Sequence, residues 1–170
     1  QWHAYKRIPW DDFPWNRSNK LNYPWTEWMP PPDEYPFSKV EYLRGREELD
    51  WGVLPRAESE YDDLVVIDYA IEFLKNHSSE SPFFLSVGTF HPHLPWYIPQ
   101  SFFDLYADAK IHLPLSPEDD LDDIPEIPQK WAAARRDGMQ AAKDANQWEE
   151  ALRCYLASIS YADEQVGRIL

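Results

Sequence analysis

Residues 81–96 have the sequence SPFFLSVGTFHPHLPW, an apolar run followed by a turn that carries two histidines. The run from Pro82 to Val87 is short, rich in aromatic residues and introduced by a proline, which predicts a buried β-strand. Ligands of open α/β sheets bind beyond the carboxyl ends of the strands. We therefore take His91 and His93, which follow the predicted strand, as the first candidate site residues.

Helical periodicity is found on both sides of this stretch. Before it, apolar residues recur at helical spacing up to residue 76, and Ser59 with Asp62 is typical of a weak capping box at the helix start. After it, residues 100–106 predict a short helix, and the chain from about Asn146 predicts the longest helix. The apolar side of this terminal helix is predicted to consist of Trp148, Leu152, Tyr155, Leu156, Ile159, Val166 and Ile169.

Two regions carry little periodicity. Residues 1–48 interleave Trp, Tyr and Pro with charges, and residues 114–145 contain a dense acidic run at 118–123. Because proline fixes φ and removes a backbone donor, we expect irregular structure in both regions, held in the first by aromatic packing. The acidic run lacks the glycine and closing glutamate of an EF-hand calcium loop, so we interpret it as a solvated loop.

Composition narrows the possible functions. The 170 residues are 44% hydrophobic and 27% charged, which indicates one globular domain. A net charge of -14 excludes nucleic acid as a partner, because phosphates require Lys and Arg clusters. No apolar run is long enough to span a membrane, so no membrane partner is predicted.

The predicted elements form an α/β arrangement with a shortage of strands. A helix, a strand and the histidine turn form a core at 49–113, followed by the irregular region 114–145 and the terminal helix 146–170. A single strand cannot form a sheet, and the last helix has no Gly, Asn or Pro terminator. We therefore expect these residues to be an internal part of one larger domain.

Three blocks of sequence together resemble the type I sulfatases, nearest the iduronate-2-sulfatase-like group. The central block is PFFLSVG at 82–88 with PHLPW at 92–96. It is preceded by DWG at 50–52 with DYAI at 68–71, and followed by YLASISYAD at 155–163. The order and spacing of the three blocks, rather than any one of them, make the resemblance specific.

The resemblance implies an alkaline-phosphatase-like α/β domain, with a mixed sheet between helices and long Pro/Trp-rich loops. Members of this family hydrolyse sulfate esters with a formylglycine, made from the Cys or Ser of a Cys/Ser-x-Pro-x-Arg motif, beside a bound Ca²⁺. The hydrated aldehyde attacks sulfur, while the metal and cationic side chains stabilise charge and a histidine assists the leaving alcohol. Such enzymes work in periplasmic, extracellular or lysosomal compartments.

Carried over to this sequence, the resemblance makes His93 the catalytic candidate, as the histidine of the Pro-His pair that contacts sulfate. Many relatives have Lys or Arg where this chain has His91, which either binds substrate or holds the turn. His3, in a segment similar to the family's Lys-x-His site, and Trp96, beside the turn, are further substrate-binding candidates.

Other family features are missing from this sequence. Cys154 lies in RCYL, without the proline and arginine of the formylglycine motif, and is interpreted as a small buried apolar residue on the terminal helix. No Asp-His-Gly or Asp-Asn-Gly metal motif is present. We therefore expect the formylglycine and the Ca²⁺ ligands to lie outside these residues, which would be inactive by themselves.

The favoured function is hydrolysis of the sulfate ester of a small molecule or glycan, with a sulfated carbohydrate as the expected substrate. Two alternatives remain open. The aromatic residues before Asp50 are also typical of a non-catalytic carbohydrate-binding or structural module. The second alternative is a phosphoester or phosphonate hydrolase of the same superfamily, because phosphate and sulfate share tetrahedral geometry.

Overall fold

The fold is given by a computed structural model that describes residues 38–40, 49–78, 82–115, 117 and 119–170, with the side chains of 133–137 excepted. All of these residues belong to one unit, Pro36–Leu170. The aromatic region predicted at 1–48 falls outside the described residues except for 38–40, and so does His3. Within the described part of the chain, no helix is both long and apolar enough to cross a membrane.

A small parallel sheet forms the centre of the fold. Strand β1, Trp51–Val53, pairs in parallel with strand β2, Trp96–Ile98, with Trp51 opposite Trp96. Parallel strands need a long crossover connection, and here that connection contains helix α1, Asp62–Asn76. The predicted α/β class is confirmed.

The position of the predicted strand is wrong. Residues 82–90 form no ladder with any strand in the described ranges, and Phe83 and Phe84 are 48% and 82% exposed. The ladder forms instead at residues whose side chains are almost fully buried, among them Trp51, Tyr97 and Ile98. A strand requires a hydrogen-bonding partner as well as an apolar run, and the run alone does not reveal that partner. The histidine turn consequently precedes strand β2 instead of following a strand.

Three predicted helices are confirmed. Helix α1 begins after Tyr61, which is its N-cap residue in place of the predicted Ser59, because Glu58–Glu60 forms a short 3-10 helix. Helix α2 is Gln100–Asp104, and the long terminal helix α4 is Trp148–Ile169.

Helix α3, Glu126–Asp144, occupies most of the region predicted to be irregular. Pro125 is its N-cap and Pro128 lies in its first turn, where backbone N–H groups have no intrahelical acceptor, so neither proline interrupts the helix. The residues that follow are rich in Ala, Lys, Arg and Gln, which are strong helix formers. Asn146 ends this helix with a φ of 56°, and the Gln147 N–H donates back to Ala142 O at 2.8 Å.

Helix α4 packs against β2, α1 and α2, but it buries a different face from the predicted one. Ile159 and Val166, from the predicted apolar side, are 39% and 51% exposed. Most of the buried residues are small and allow the helix to lie close to its neighbours. The buried residues of α4 are Ala151, Cys154, Ala157, Ser158, Tyr161 and Gln165. The predicted burial of Cys154 is confirmed.

Candidate functional site

The histidine turn connects the irregular segment 82–90 to strand β2. The His93 N–H donates to Phe90 O at 3.0 Å and closes the turn. The Thr89 hydroxyl donates to the carbonyl of His91 at 3.2 Å. The His91–Pro92 and Leu94–Pro95 peptide bonds are both cis. The two hydrogen bonds hold the backbone of the turn between Thr89 and His93.

His91 lies inside the protein and is 3% exposed. Its Nδ1 lies 2.6 Å from Asp63 Oδ2, and its Nε2 lies 2.9 Å from the carbonyl oxygen of Tyr97. A carbonyl oxygen and an ionised carboxylate only accept hydrogen bonds. Assigned from these partners, both ring nitrogens of His91 carry a proton, and the ring forms a buried ion pair with Asp63.

Aromatic rings surround the imidazole of His91. The Tyr161 ring meets it edge-on at 5.0 Å between centroids, and the rings of Phe90 and Tyr61 lie at 6.1 and 6.4 Å. Burial raises the pKa of the Tyr161 hydroxyl above its ordinary value, with the nearby Asp63 charge adding to the effect. The ion pair is therefore enclosed by groups from the start of α1 and from α4.

Asp63 holds the turn with both carboxylate oxygens. Oδ1 accepts from the Phe90 N–H at 2.6 Å, and Oδ2 accepts from the His91 N–H at 3.0 Å as well as from the His91 ring. Burial would raise the pKa of this carboxyl, but the hydrogen bond and charge of His91 and the two backbone N–H groups outweigh it and lower the pKa. Asp63 is therefore an ionised, 2% exposed anchor for the turn.

His93 points away from this buried network and is exposed. Its Nδ1 contacts the carbonyl oxygen of Leu94, and because that oxygen accepts, Nδ1 carries the proton. The ring also packs on Phe90, with 5.0 Å between centroids.

Trp96 is half-buried at the start of strand β2. Its indole N–H donates to the carbonyl of Pro92 at 3.0 Å, and its ring packs on Tyr155 of α4 at 5.0 Å between centroids. These contacts fasten the end of the turn to α4.

A second buried carboxylate, Asp50, joins the two strands. It has no exposed surface, and its Oδ2 accepts from the Tyr97 hydroxyl at 2.6 Å. Its Oδ1 accepts from the Ser38 N–H at 2.9 Å, and its carbonyl accepts from the Trp96 N–H at 2.9 Å. Strand β2 is thus tied to the residue that precedes β1.

The structure brings together three of the four candidates, His91, His93 and Trp96, while His3 lies outside the described residues. Sequence reasoning missed Asp63 as a partner of the turn. An acidic residue in the first turn of a helix already has a sufficient explanation in the helix dipole, which hides a second role. The 27-residue separation of Asp63 and Phe90 leaves no local pattern that would reveal the contact.

The described residues fit neither the Ca²⁺ site nor the formylglycine of the sulfatases that the sequence resembles. Among the residues that the structure covers, no cluster of three or more His, Cys, Asp or Glu is arranged to hold a metal ion. Cys154 is fully buried, and burial, with the Glu150 charge, raises the pKa of its thiol to about 12. A thiol enclosed in this way is not positioned to become an aldehyde that meets substrate.

Comparisons with known proteins point in one direction. The sulfatase family model matches residues 3–170. A protein described as a sulfatase from Formosa agariphila is 32% identical over 167 residues, which cover 97% of this chain and 28% of that protein. Human iduronate 2-sulfatase is 35% identical over 129 residues, covering 69% of the chain and 23% of that protein. An arylsulfatase from Clostridium perfringens is 29% identical over 114 residues, covering 62% and 21%. The chain thus spans less than a third of the length of these proteins.

Proposed function

Because the chain belongs to the sulfatase family, we propose that the protein hydrolyses sulfate esters. The observation that carries this proposal is the exposed His93 on a turn that the buried Asp63 holds by hydrogen bonds to Phe90 and His91. A site that acts on a charged group needs polar side chains held in fixed positions, so that they do not reorganise during the reaction. The turn meets this requirement.

In the proposed reaction, His93 contacts the sulfate group and assists the departing alcohol. The bond from Nδ1 to the carbonyl of Leu94 places a proton on Nδ1 and orients the ring. A histidine suits this task because its ordinary pKa lies near neutrality. His91, with both ring nitrogens bonded inside the protein, holds the turn in this proposal instead of binding substrate.

The formylglycine and Ca²⁺ typical of the family are proposed to be supplied by residues outside the described ranges. The formylglycine would supply the nucleophile, and Ca²⁺ would supply positive charge near the sulfate group. The described residues contribute the histidine turn, the orientation of His93 and the packing of Trp96 beside it.

We propose a sulfated carbohydrate as the substrate. Two of the similar proteins, from human and mouse, are named iduronate 2-sulfatases, and iduronate is a sugar acid. The corresponding proposal for location is a periplasmic, extracellular or lysosomal compartment.

Hydrolysis of 4-nitrophenyl sulfate by the full-length gene product, purified with Ca²⁺, tests the proposal. We expect saturable release of nitrophenol from the sulfate ester and much slower release from 4-nitrophenyl phosphate. Faster turnover of the phosphate would favour the phosphoester hydrolase alternative. Binding of sulfated glycans without any turnover would favour the carbohydrate-binding module. The 170 residues expressed alone serve as a control and are expected to be inactive.

A further inference from the structure

The contacts around the turn separate a buried layer from an exposed one. Asp63 and His91 lie in the buried layer, at 2% and 3% exposure. His93 lies in the exposed layer, two residues further along the chain. The two layers are joined by the backbone of Phe90 and His91.

Phe90 makes this connection directly. Its N–H donates to Asp63 Oδ1 at 2.6 Å, its carbonyl accepts from the His93 N–H at 3.0 Å, and its ring packs on the ring of His93. These contacts link His93 to Phe90 and Phe90 to Asp63.

His91 provides the second connection, from helix α1 to strand β2. Its ring bridges Asp63 Oδ2 and the carbonyl of Tyr97, at 2.6 and 2.9 Å. Without a carboxylate at position 63, the buried imidazolium would lose its counter-charge, and an asparagine there would have one acceptor oxygen for two backbone N–H groups that now bond to different oxygens. The turn would then have to shift to find new partners.

We propose that Asp63 is a positioning residue for His93, acting through Phe90 and the imidazolium of His91. This inference rests on the proposed sulfate ester hydrolysis. It assigns to an acidic side chain in the first turn of α1 the task of fixing the reactive histidine without touching the substrate. Small displacements of reacting groups have large kinetic effects, since about 1 Å of misplacement can cost about 100-fold in rate.

The test compares Asp63→Asn with the wild-type full-length protein. Asp68→Asn is the control, because it removes a negative charge from the same helix at a side chain that is 58% exposed, whereas the three bonds to Phe90 and His91 come from Asp63. We expect Asp63→Asn to lower kcat for 4-nitrophenyl sulfate by about 10- to 100-fold per folded molecule, with KM changed less than about threefold. The control is expected to keep kcat within about twofold of the wild-type value.

A second readout does not depend on activity. In protein labelled with ¹³C- and ¹⁵N-histidine, the ring resonances of His93 should move in Asp63→Asn and stay in place in Asp68→Asn. A purely structural role of Asp63 would lower stability without moving these resonances or kcat per folded molecule. Unchanged kcat, or unmoved resonances, in folded Asp63→Asn would overturn the proposal.

If Asp63→Asn does not fold, His91→Gln takes its place under the same criteria, because it removes both ring bonds and keeps the backbone bonds to Asp63. If the wild-type protein hydrolyses no sulfate ester, the proposed function fails, and the resonance measurement alone decides whether Asp63 positions His93.

Discussion

The hydroxyl of Tyr97 donates a 2.6 Å hydrogen bond to Oδ2 of Asp50, a carboxylate with no exposed surface. The bond ties strand β2 to the residue that precedes β1. The carbonyl oxygen of Tyr97 also accepts a hydrogen bond from the ring of His91, so Tyr97 contacts both the sheet and the site. We therefore expect a change that destabilises the strand pair to destabilise the histidine turn as well.

Tyr97→Phe should lower the free energy of unfolding by about 2 kcal/mol, because it leaves a buried carboxylate without its hydroxyl donor. Tyr106→Phe is the control, since the Tyr106 hydroxyl bonds to the neutral hydroxyl of Ser160 at 2.7 Å. We expect a cost of about 1 kcal/mol or less for the control. Urea unfolding of both variants measures the difference, and equal costs would contradict the assigned bond.

Gly52→Ala should disrupt strand β1. Gly52 has a φ of 148°, a backbone conformation that residues with a Cβ adopt only with strain. We expect a loss of about 1–3 kcal/mol in unfolding free energy. Gly88→Ala is the matched control, because a Cβ at Gly88 would meet no atom within 4 Å. Thermal unfolding that ranks the two variants in the opposite order would show that the backbone at position 52 does not require glycine.

Asp63 should make the protein sensitive to acid. Its pKa is lowered in the folded state, so its contribution to stability is complete above the ordinary Asp pKa of about 4 and is lost as pH falls below that value. At neutral pH we expect Asp63→Asn to cost about 3–5 kcal/mol, and the gap from wild type should narrow below about pH 4. Urea unfolding across this pH range measures the gap.

Asp68→Asn is the control for this pH dependence. Asp68 pairs with Arg168 at 2.6 Å, but its side chain is 58% exposed, so we expect a cost of about 1 kcal/mol or less. A gap between Asp63→Asn and wild type that stays constant down to pH 3 would contradict the ion pair with His91.

Cys154 should resist alkylation in the folded protein. It is fully buried, and its thiol pKa is raised to about 12, so almost no thiolate is present at neutral pH. Iodoacetamide treatment followed by peptide mass spectrometry should find Cys154 unmodified in native protein and modified after unfolding in guanidinium. Rapid modification under native conditions would mean that the α4 interface opens.

The helices were largely predictable from the sequence because their periodicity is local. Helix α1 and helix α4 follow from apolar spacing within single segments, whereas strand pairing joins Trp51 to Trp96 across 45 residues. The buried face of α4 was misassigned because the pattern weighs large apolar residues, and close packing selected small ones such as Ala157 instead. Helix α3 was missed because prolines at its start were interpreted as breakers.

The candidate site was predictable only in part. The turn and its histidines follow from the sequence, because prolines on either side of His93 mark a rigid turn. The burial of His91 and its pairing with Asp63 depend on the packing of α1 against the turn, which no local spacing records. The separation of the two histidines into a buried and an exposed residue therefore required the structure.

The central claim is that His93 acts in sulfate ester hydrolysis, and the most direct test is kcat/KM of His93→Gln for 4-nitrophenyl sulfate in the full-length protein. His112→Gln is the matched control, because His112 is also exposed but lies in the loop after α2. We expect kcat/KM of His93→Gln to fall by about 100-fold or more, with unfolding free energy unchanged and the control near wild type. A value for His93→Gln within about twofold of wild type would contradict the claim.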